Sequence, residues 1–326
     1  MKTAINQVVL QIIKSCDQAC PHCFFNSYPS AKQKLTLFQI KSGLNDLKKT
    51  EIKKVNKFII SGGEPFVHPQ IISIVKIIRI IFPFSKIRID TNGLKLFETP
   101  FLFRLIRADI YNISIDPFHN QGVLKKEKKF QEIFIKKDGS SKLVDFFLKQ
   151  KKKYKFKLNI RWTSNGEDEK LFKSFIKKYK NEDVIISRKL VTATGRAKKL
   201  SSIIKGSSYL IKEKPSNFKC LIGNSLLLSV GGYWYGCYHP VSFTRLSLPG
   251  QSSQFALKLR KILNSNLAKK LSQKGILEVL TMMKKKNPKL RFTINSILKN
   301  KYSYRCQPCE AACAKKIFNF KNGLIV

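Results

Sequence analysis

Strand-like and helix-like stretches alternate through the first 190 residues, and this alternation restricts the possible folds more than any other feature. Apolar β-type runs predict strands at residues 8–13, 57–60, 86–90, 110–115, 156–162 and 184–190. Stretches with helical periodicity lie near 36–49, 70–82, 98–107, 141–153 and 169–180. Such alternation is typical of parallel βα units with right-handed crossovers. The units are too few for an eight-fold barrel, so the sequence predicts an α/β fold built on an open, partial (β/α)6 TIM-like barrel.

A second, smaller domain is predicted after the barrel. Residues 201–215 are rich in Ser and Lys and are predicted to be a linker between a barrel of residues 1–200 and a domain of residues 216–326. Two apolar runs, 226–230 and 233–236, flank Gly231-Gly232 and predict a β-hairpin. Apolar side chains at helical spacing predict a helix near 255–271, and a last helix is predicted at 309–316.

The composition is that of a globular protein, with 43% hydrophobic residues among 326. No apolar run is long enough to span a membrane, and no export signal precedes the first cysteine. We therefore expect a cytoplasmic protein without a membrane partner. In a reducing cytoplasm, clustered cysteines are more often metal ligands than disulfides.

The charge is strongly positive, with 63 Lys plus Arg against 20 Asp plus Glu and a formal net charge of +43. One interpretation is a polyanionic partner, either nucleic acid or an acidic peptide. The other is compositional drift in an AT-rich genome, because the lysines are spread along the whole chain.

Three cysteines, Cys16, Cys20 and Cys23, form a C-x3-C-x2-C loop directly after the first predicted strand. Thiolates at this spacing suit soft metals and iron–sulfur clusters. Structural zinc is the alternative, but it takes four ligands, and His22 is the one further candidate nearby. Three thiolates on a four-iron cluster leave one iron open to a small molecule.

This loop resembles that of the radical S-adenosylmethionine (radical SAM) superfamily, in which an aromatic residue usually stands at the position of His22. The superfamily's GGEP motif follows the second predicted strand as Gly62, Gly63, Glu64 and Pro65. The resemblance implies that Glu64 offers its carboxylate to the ammonium group of the cofactor's methionine, and that the glycines permit a close approach to the backbone.

Further residues at strand ends fit the same resemblance. Asn92, within Thr91-Asn92-Gly93, ends the third predicted strand. Ser114 lies where the family commonly contacts the ribose, Arg161 where relatives can hold the methionine carboxylate, and Gly195-Arg196-Ala197 resembles a segment of peptide-modifying members. The ordinary alternatives are a turn at Asn92, a strand-end cap at Ser114 and a surface charge at Arg161.

The resemblance implies a specific chemistry. A [4Fe-4S] cluster and S-adenosylmethionine would bind together, an electron donor such as flavodoxin or ferredoxin would reduce the cluster, and the resulting 5′-deoxyadenosyl radical would abstract hydrogen from a substrate.

A second group of cysteines occupies the C-terminal region: Cys220, Cys237, Cys306, Cys309 and Cys313. Their order resembles the auxiliary-cluster domains called SPASM and twitch. The resemblance implies one auxiliary [4Fe-4S] cluster, held preferentially by the first four, with Cys313 the spare. A structural zinc site is the alternative.

Catalytic candidates lie just after the fourth predicted strand, where Asp116 and His119 open a long segment from residue 118 to 139. Segments of that length are often functional. The other histidines are His22, His68, which is predicted to cap a helix start, and His239, which stands where some relatives carry an Asp base. A satisfied surface histidine is the ordinary alternative for each.

Three classes of substrate remain open at this point. The first class is a ribosomally made peptide or protein, which is favoured by the second cysteine group and by the positive charge. An acidic leader peptide of such a substrate would bind the barrel, the auxiliary domain or a separate leader-binding protein. RNA is favoured by the charge alone. A small molecule of cofactor or natural-product biosynthesis is the third class.

Overall fold

The computed structural model describes residues 4–50, 52, 54–122, 133–164, 168–190, 225–235, 246, 248–264, 276–286, 289 and 291–299. The chain divides into two compact units. The barrel unit contains Leu10–Leu37 and Lys57–Tyr209, and the hairpin unit contains Met1–Val9, Phe38–Asn56 and Leu210–Val326.

The described strands are β1 (Ala4–Ile13), β2 (Lys54–Gly62), β3 (Lys86–Thr91), β4 (Ile110–Ser114), β5 (Lys157–Ser164), β6 (Val184–Leu190), β7 (Ser225–Leu228) and β8 (Trp234–Tyr235). In the barrel unit they lie in the order β6-β5-β4-β3-β2-β1. The pairings from β2 through β6 are parallel. This mostly parallel, unclosed sheet with helices between its strands is the partial barrel that the sequence predicts.

The described helices are α1 (Leu37–Lys48), α2 (Ile71–Ile81), α3 (Leu94–Glu98), α4 (Leu102–Ile106), α5 (Pro117–Gly122), α6 (Lys142–Tyr154), α7 (Glu169–Tyr179), α8 (Ser252–Asn264), α9 (Ile276–Lys286) and α10 (Arg291–Lys299). A 3₁₀ turn, Pro65–Val67, follows β2. None of these helices is both long and apolar enough to cross a membrane.

Alternate residues of the barrel strands face opposite sides of the sheet. On β5 the side chains of Leu158, Ile160, Trp162 and Ser164 are buried, while the residues between them are less buried. Trp162 packs its ring 5.3 Å from Phe172 and 5.1 Å from Phe175 of α7. The apolar set therefore lies under the helices, and the polar set lies on the opposite face, as the two-residue period of a strand requires.

The prediction of one continuous helix at 98–107 is wrong, because two short helices, α3 and α4, occupy residues 94–98 and 102–106. Pro100 separates them. A residue that precedes proline is driven out of the helical region, and Thr99 has φ −132° and ψ 67°. The long segment from 118 to 139 also begins as a helix, α5, which the sequence analysis did not predict. Residues 123–132 of that segment lie outside the described residues.

In the hairpin unit, β7 and β8 pair antiparallel, which confirms the predicted hairpin. Trp234 of β8 is fully buried and lies 5.3 Å from Phe255 of α8, ring to ring. Asp46 of α1 is also buried, and its carboxylate accepts hydrogen bonds from Gly250 N at 2.7 Å and Ser252 Oγ at 2.6 Å. The start of α8 is thus fixed to α1 by one carboxylate.

Parts of the second-domain prediction fall outside the described residues. These are the linker at 201–215, the end of the helix predicted to 271 and the helix predicted at 309–316. Helices α9 and α10 were not predicted. The predicted domain boundaries stay a prediction.

Candidate functional site

The cysteine loop starts where β1 ends and is held against the GGEP segment. Gly63 N donates to Ile13 O at 2.7 Å, and Glu64 N donates to Ser15 O at 3.0 Å. Within the loop, Cys23 N donates to Cys20 O at 3.2 Å. Cys16, Cys20 and Cys23 are all free thiols. Backbone hydrogen bonds alone therefore place Cys16 beside the carboxyl end of β2.

The two glycines of GGEP are required by this contact. A Cβ on Gly62 would lie 2.2 Å from Ile13 O, and one on Gly63 would lie 2.0 Å from Ser15 O. Gly62 also has φ +138°, which side chains other than glycine rarely adopt. The cysteine loop itself fills the space that a side chain would need at either position.

Glu64 is buried and ties the GGEP segment to the end of β3. Its Oε1 accepts from Phe66 N at 3.1 Å and from Thr91 Oγ1 at 2.7 Å, and its Oε2 accepts from Asn92 N at 2.8 Å. Burial, followed by the charge of Asp17, raises the pKa of Glu64 to about 8, although these three hydrogen bonds favour the charged form. Both carboxylate oxygens already have partners within the protein.

Asn92 connects the end of β3 to the cysteine loop. Its Oδ1 accepts from Leu94 N at 2.9 Å, which is the turn role that the sequence allows. Its Nδ2 donates to Asp17 Oδ1 at 2.6 Å and lies 3.8 Å from Cys16 Sγ. One side chain therefore both shapes a turn and reaches a predicted metal ligand.

Helix α5 lies directly against Cys20. A Cβ on Gly122 would lie 2.4 Å from Cys20 Sγ. Ala19 N donates to Gly122 O at 2.9 Å, and Gln18 Nε2 donates to His119 O at 3.4 Å. Gly122, Asp17 and Gln18 are not among the site residues that the sequence pattern predicts. Asp17 and Gln18 stand between two predicted ligands, but no sequence signal links Gly122 to a cysteine so far away in the chain.

Asp116 lies at the centre of a cluster with two histidines. It is fully buried, its Oδ1 lies 2.9 Å from His119 Nδ1, and its Oδ2 lies 3.8 Å from His22 Nε2. Burial works to raise the pKa of Asp116, but His119 and His22 outweigh it and hold that pKa below its ordinary value. The structure thus brings both predicted catalytic residues together beside the cysteine loop. His119 is buried, so its interpretation as a surface histidine is wrong.

These three side chains also have the donor set of a metal site, since their ligand atoms lie within 4.8 Å of one another. Within the described part of the chain, they form the one group of three His, Cys, Asp or Glu ligands close enough for a single ion. The three cysteines do not form another such group. A four-iron cluster is larger than one ion and takes more widely spaced thiolates, so the donor set at Cys16, Cys20 and Cys23 fits a cluster better than a lone zinc ion.

The Cys16 thiol lies in surroundings that favour its neutral form. Burial raises its pKa well above the ordinary value, and the negative charges of Asp17 and Glu64 add to the shift. A thiolate at this position requires a nearby positive charge, and a bound metal cluster supplies one.

Ser114, the last residue of β4, pairs with Arg161 in the middle of β5. Arg161 Nη2 lies 3.0 Å from Asp90 Oδ2, and the Arg161 side chain is only 28% exposed. Arg161 is thus a partly exposed cation that is paired with a nearly buried carboxylate. Pro65 starts the 3₁₀ turn and is buried.

His68 lies next to the start of α2, although the N-cap of that helix is Gln70. Its Nδ1 accepts from Gln70 N at 3.1 Å, immediately before α2, and its Nε2 lies 2.9 Å from Leu35 O. The remaining predicted site residues lie outside the described residues: Cys220, Cys237, Cys306, Cys309, Cys313, His239 and Gly195-Arg196-Ala197.

Comparison with known proteins agrees with this geometry. Residues 10–137 match the family model of the Radical SAM superfamily. No curated protein matches the sequence. The fold is similar to that of anSMEcpe with bound AdoMet and Cp18Cys peptide, with a TM-score of 0.57 and 15% identity over 96% of this chain and 97% of that one.

The fold is also similar to that of Streptococcus suis SuiB bound to the precursor peptide SuiA. The TM-score is 0.54, and the identity is 13% over 94% of this chain and 76% of that one. At such identities the likeness concerns the fold. The family match covers the cysteine loop, the GGEP segment, β3 and β4, and α5. Residues 10–137, which include the cysteine loop and the GGEP segment, are therefore similar to the Radical SAM superfamily.

Proposed function

We propose that this protein is a radical SAM enzyme that modifies a peptide or protein substrate. The observation that carries the proposal is the position of the three free cysteines, which lie in a loop packed between the GGEP segment and α5. The cluster would be held by Cys16, Cys20 and Cys23. When bound, it supplies the electron that cleaves S-adenosylmethionine to a 5′-deoxyadenosyl radical.

The residues around the loop would have distinct tasks. Asn92 follows β3, Ser114 ends β4, and Arg161 of β5 pairs with Ser114. All three are proposed to contact S-adenosylmethionine. Glu64 is buried with both oxygens engaged. This favours an indirect role for Glu64, in which it fixes the cysteine loop and the Asn92 turn, over direct contact with the methionine ammonium group.

Asp116 and His119 are proposed to serve the reaction from beside the loop. Asp116 N-caps α5, since its Oδ1 accepts from His119 N at 3.2 Å, and it also accepts from Thr163 N of β5 at 3.3 Å. The carboxylate thus holds His119 and His22 in fixed positions next to the predicted cluster ligands.

The metal and the cofactor can be tested together. Anaerobically reconstituted protein should bind iron and sulfide, show the broad absorbance of iron–sulfur clusters and, once reduced, convert S-adenosylmethionine to 5′-deoxyadenosine. Replacing Cys16, Cys20 and Cys23 with Ala should abolish the conversion. Protein prepared under strict anaerobiosis that holds zinc and no iron would overturn the proposal.

The peptide substrate is supported by two independent features. Two proteins of similar fold have been solved with peptides, Cp18Cys and SuiA. The net charge of +43 favours an acidic partner. An auxiliary [4Fe-4S] cluster on the C-terminal cysteines, a flavodoxin or ferredoxin as electron donor and a separate leader-binding protein belong to the same proposal and rest on the sequence pattern.

The substrate class is tested by offering candidate precursor peptides and total RNA separately. Formation of 5′-deoxyadenosine above the rate without substrate identifies the stimulating class. We expect a peptide to stimulate 5′-deoxyadenosine formation, and we expect the mass of that peptide to change by the gain or loss of hydrogen atoms. Stimulation by RNA and by no peptide would contradict the peptide assignment.

A further inference from the structure

A group of charged side chains lies on the face of the barrel sheet opposite the helices. Asp90 of β3 is at the centre of this group. It forms ion pairs with Arg88 of the same strand and with Arg161 of β5. Ile87, Ile89 and Thr91 alternate with these β3 residues and are buried. Because side chains alternate along a strand, Arg88 and Asp90 point to the other face. We call Lys57, Arg88, Asp90, Asn112 and Arg161 the Asp90 cluster.

Every contact of Asp90 in this cluster involves a hydrogen-bond donor. Its Oδ1 lies 2.8 Å from Arg88 Nε and accepts from Asn112 Nδ2 at 3.0 Å. Its Oδ2 accepts from Arg88 Nη2 and from Arg161 Nη2, each at 3.0 Å. Burial works to raise the pKa of Asp90, but the two arginines lower it below its ordinary value. Asp90 is therefore a carboxylate shared between two guanidinium groups.

The cluster carries more positive than negative charge. Within the described residues, Asp90 is the one carboxylate in ion-pair contact with Arg88 or Arg161. Lys57 of β2 adds a further cation, and burial followed by the charge of Arg88 lowers its pKa. Cations taken partly out of water are stabilised by an anion, so the excess charge makes this face attractive to one.

Part of each guanidinium group remains accessible for such an anion. The Arg88 side chain is 23% exposed and that of Arg161 is 28% exposed, whereas Asp90 is 10% exposed. Arg88 Nε is buried and makes no aligned hydrogen bond despite its short distance to Asp90. The two arginines are thus held in place by Asp90 without using all their donors.

Arg88 and Arg161 lie at different positions along the strand direction of the sheet. Arg161 pairs with Ser114 at the carboxyl end of β4, next to the cysteine loop, while Arg88 pairs with Ile110 at the start of β4. Arg161 is therefore the cation on the side of the proposed cofactor site. Arg88 and Lys57 lie deeper in the sheet, on the side away from that site.

We propose that Arg88, supported by Lys57, binds a carboxylate of the substrate and so orients the substrate below the cofactor site. This inference rests on the proposed function and narrows it, because it selects acidic peptides over neutral ones. Arg88 is a binding and specificity residue in this proposal. A planar guanidinium group suits a carboxylate because it can donate two parallel hydrogen bonds.

The test uses a matched pair of probes on the full-length, reconstituted protein. N-acetyl-L-glutamate and N-acetyl-L-glutamine differ in one carboxylate, and their binding can be compared by calorimetric titration at low salt. We expect the acidic probe to bind at least tenfold more tightly. Arg88→Gln should remove that preference, and Arg104→Gln, which neutralises an exposed arginine of α4, should leave it unchanged.

A second variant tests the direction of the effect. Asp90→Asn removes the internal anion that competes for both arginines, so it should strengthen binding of N-acetyl-L-glutamate severalfold. Equal binding of the two probes to the unaltered protein, an unchanged preference in Arg88→Gln, or weaker binding in Asp90→Asn would each overturn the inference. Inorganic phosphate that binds tenfold more tightly than N-acetyl-L-glutamate would overturn the assignment to a carboxylate.

The same samples separate this inference from the proposed function. Iron content and formation of 5′-deoxyadenosine without substrate are measured in the unaltered protein and in the control Arg104→Gln, and they should be equal in the two. If the unaltered protein forms neither cluster nor 5′-deoxyadenosine, the proposed function fails, and the probe titrations still decide whether Arg88 binds a carboxylate.

Discussion

Glycine at position 122 determines how closely α5 can approach the cysteine loop. The absent side chain leaves room for Cys20 Sγ, and Gly122 O accepts the hydrogen bond of Ala19 N. The residue thus acts on the geometry of a predicted metal ligand without carrying any reactive group itself.

Gly122→Ala should displace Cys20, since the new Cβ would lie 2.4 Å from its sulfur atom. We expect reconstituted Gly122→Ala to retain less iron and to lose cluster absorbance faster in a chelator than the unaltered protein. Gly231→Ala is the control, because its Cβ would meet only Ser229 Oγ at 3.6 Å. Equal iron retention in both variants would show that Cys20 tolerates the displacement.

Glu64→Gln should destabilise the protein. Glutamine replaces one carboxylate oxygen with an NH₂ group, which then faces either Asn92 N–H or the donors Phe66 N–H and Thr91 O–H. A buried donor left unpaired costs about 1–3 kcal/mol. Chemical denaturation should show this loss in Glu64→Gln. The matched change Glu98→Gln, at the exposed end of α3, should show almost none, and an equal loss in the two would contradict the proposed role of Glu64.

The residues of the site differ in how far the sequence could predict them. Cys16, Cys20 and Cys23 were predictable because ligands of one loop are close in sequence as well as in space. The contacts of Gln18 with His119 and of Asn92 with Asp17 join residues far apart in the chain. Such contacts depend on how the strands are ordered, so a local pattern cannot indicate them.

At the scale of elements, the hydroxyl group of Tyr179 connects α7 to α6. Tyr179 of α7 is buried, and its Oη accepts from Ser141 N at 2.9 Å and donates to Asp145 at 2.9 Å. Ser141 is also the N-cap of α6, since its Oγ accepts from Val144 N. The start of α6 is therefore fixed by its own cap and by the neighbouring helix.

Tyr179→Phe should lower the free energy of unfolding by about 1–3 kcal/mol, because it leaves the buried Ser141 N–H without its partner. Denaturant titration followed by circular dichroism measures the change. Tyr154→Phe, at the less buried end of α6, is the matched control and should change stability little. A neutral effect at position 179 would indicate that water replaces the hydroxyl group.

Element boundaries were predictable where the local sequence decides them. β6 has the predicted bounds, and α6 and α7 differ from prediction by a residue or so at their ends. The break between α3 and α4 depends on Pro100, whose effect on the backbone of Thr99 is a local property of the sequence. α5 could not be predicted from periodicity, because a helix of such length shows too little of it.

At the scale of the whole molecule, the charge is the dominant property. A net charge of +43 is spread over the chain, and repulsion between like charges destabilises a compact state. Salt screens this repulsion, since the Debye length falls from about 10 Å at 0.1 M to about 3 Å at 1 M.

Thermal stability should therefore rise as sodium chloride is increased from about 0.1 M to about 1 M, a range in which the Debye length shortens threefold. Potassium chloride should give the same rise, since the effect depends on ionic strength. The double variant Lys149→Gln and Lys152→Gln lowers the charge of α6 and should show a smaller rise. A midpoint that falls with both salts would mean that attractive ion pairs outweigh the repulsion.

The buried carboxylate of Glu64 also has a consequence for how the protein opens. It accepts from the amides of Phe66 and Asn92, which belong to different segments of the chain. Neither amide can exchange its hydrogen with water while the carboxylate stays in place, and one movement of that carboxylate releases both. The two amides should therefore exchange with deuterium at a common rate, which marks the turn after β2 and the end of β3 as a single unit of local unfolding.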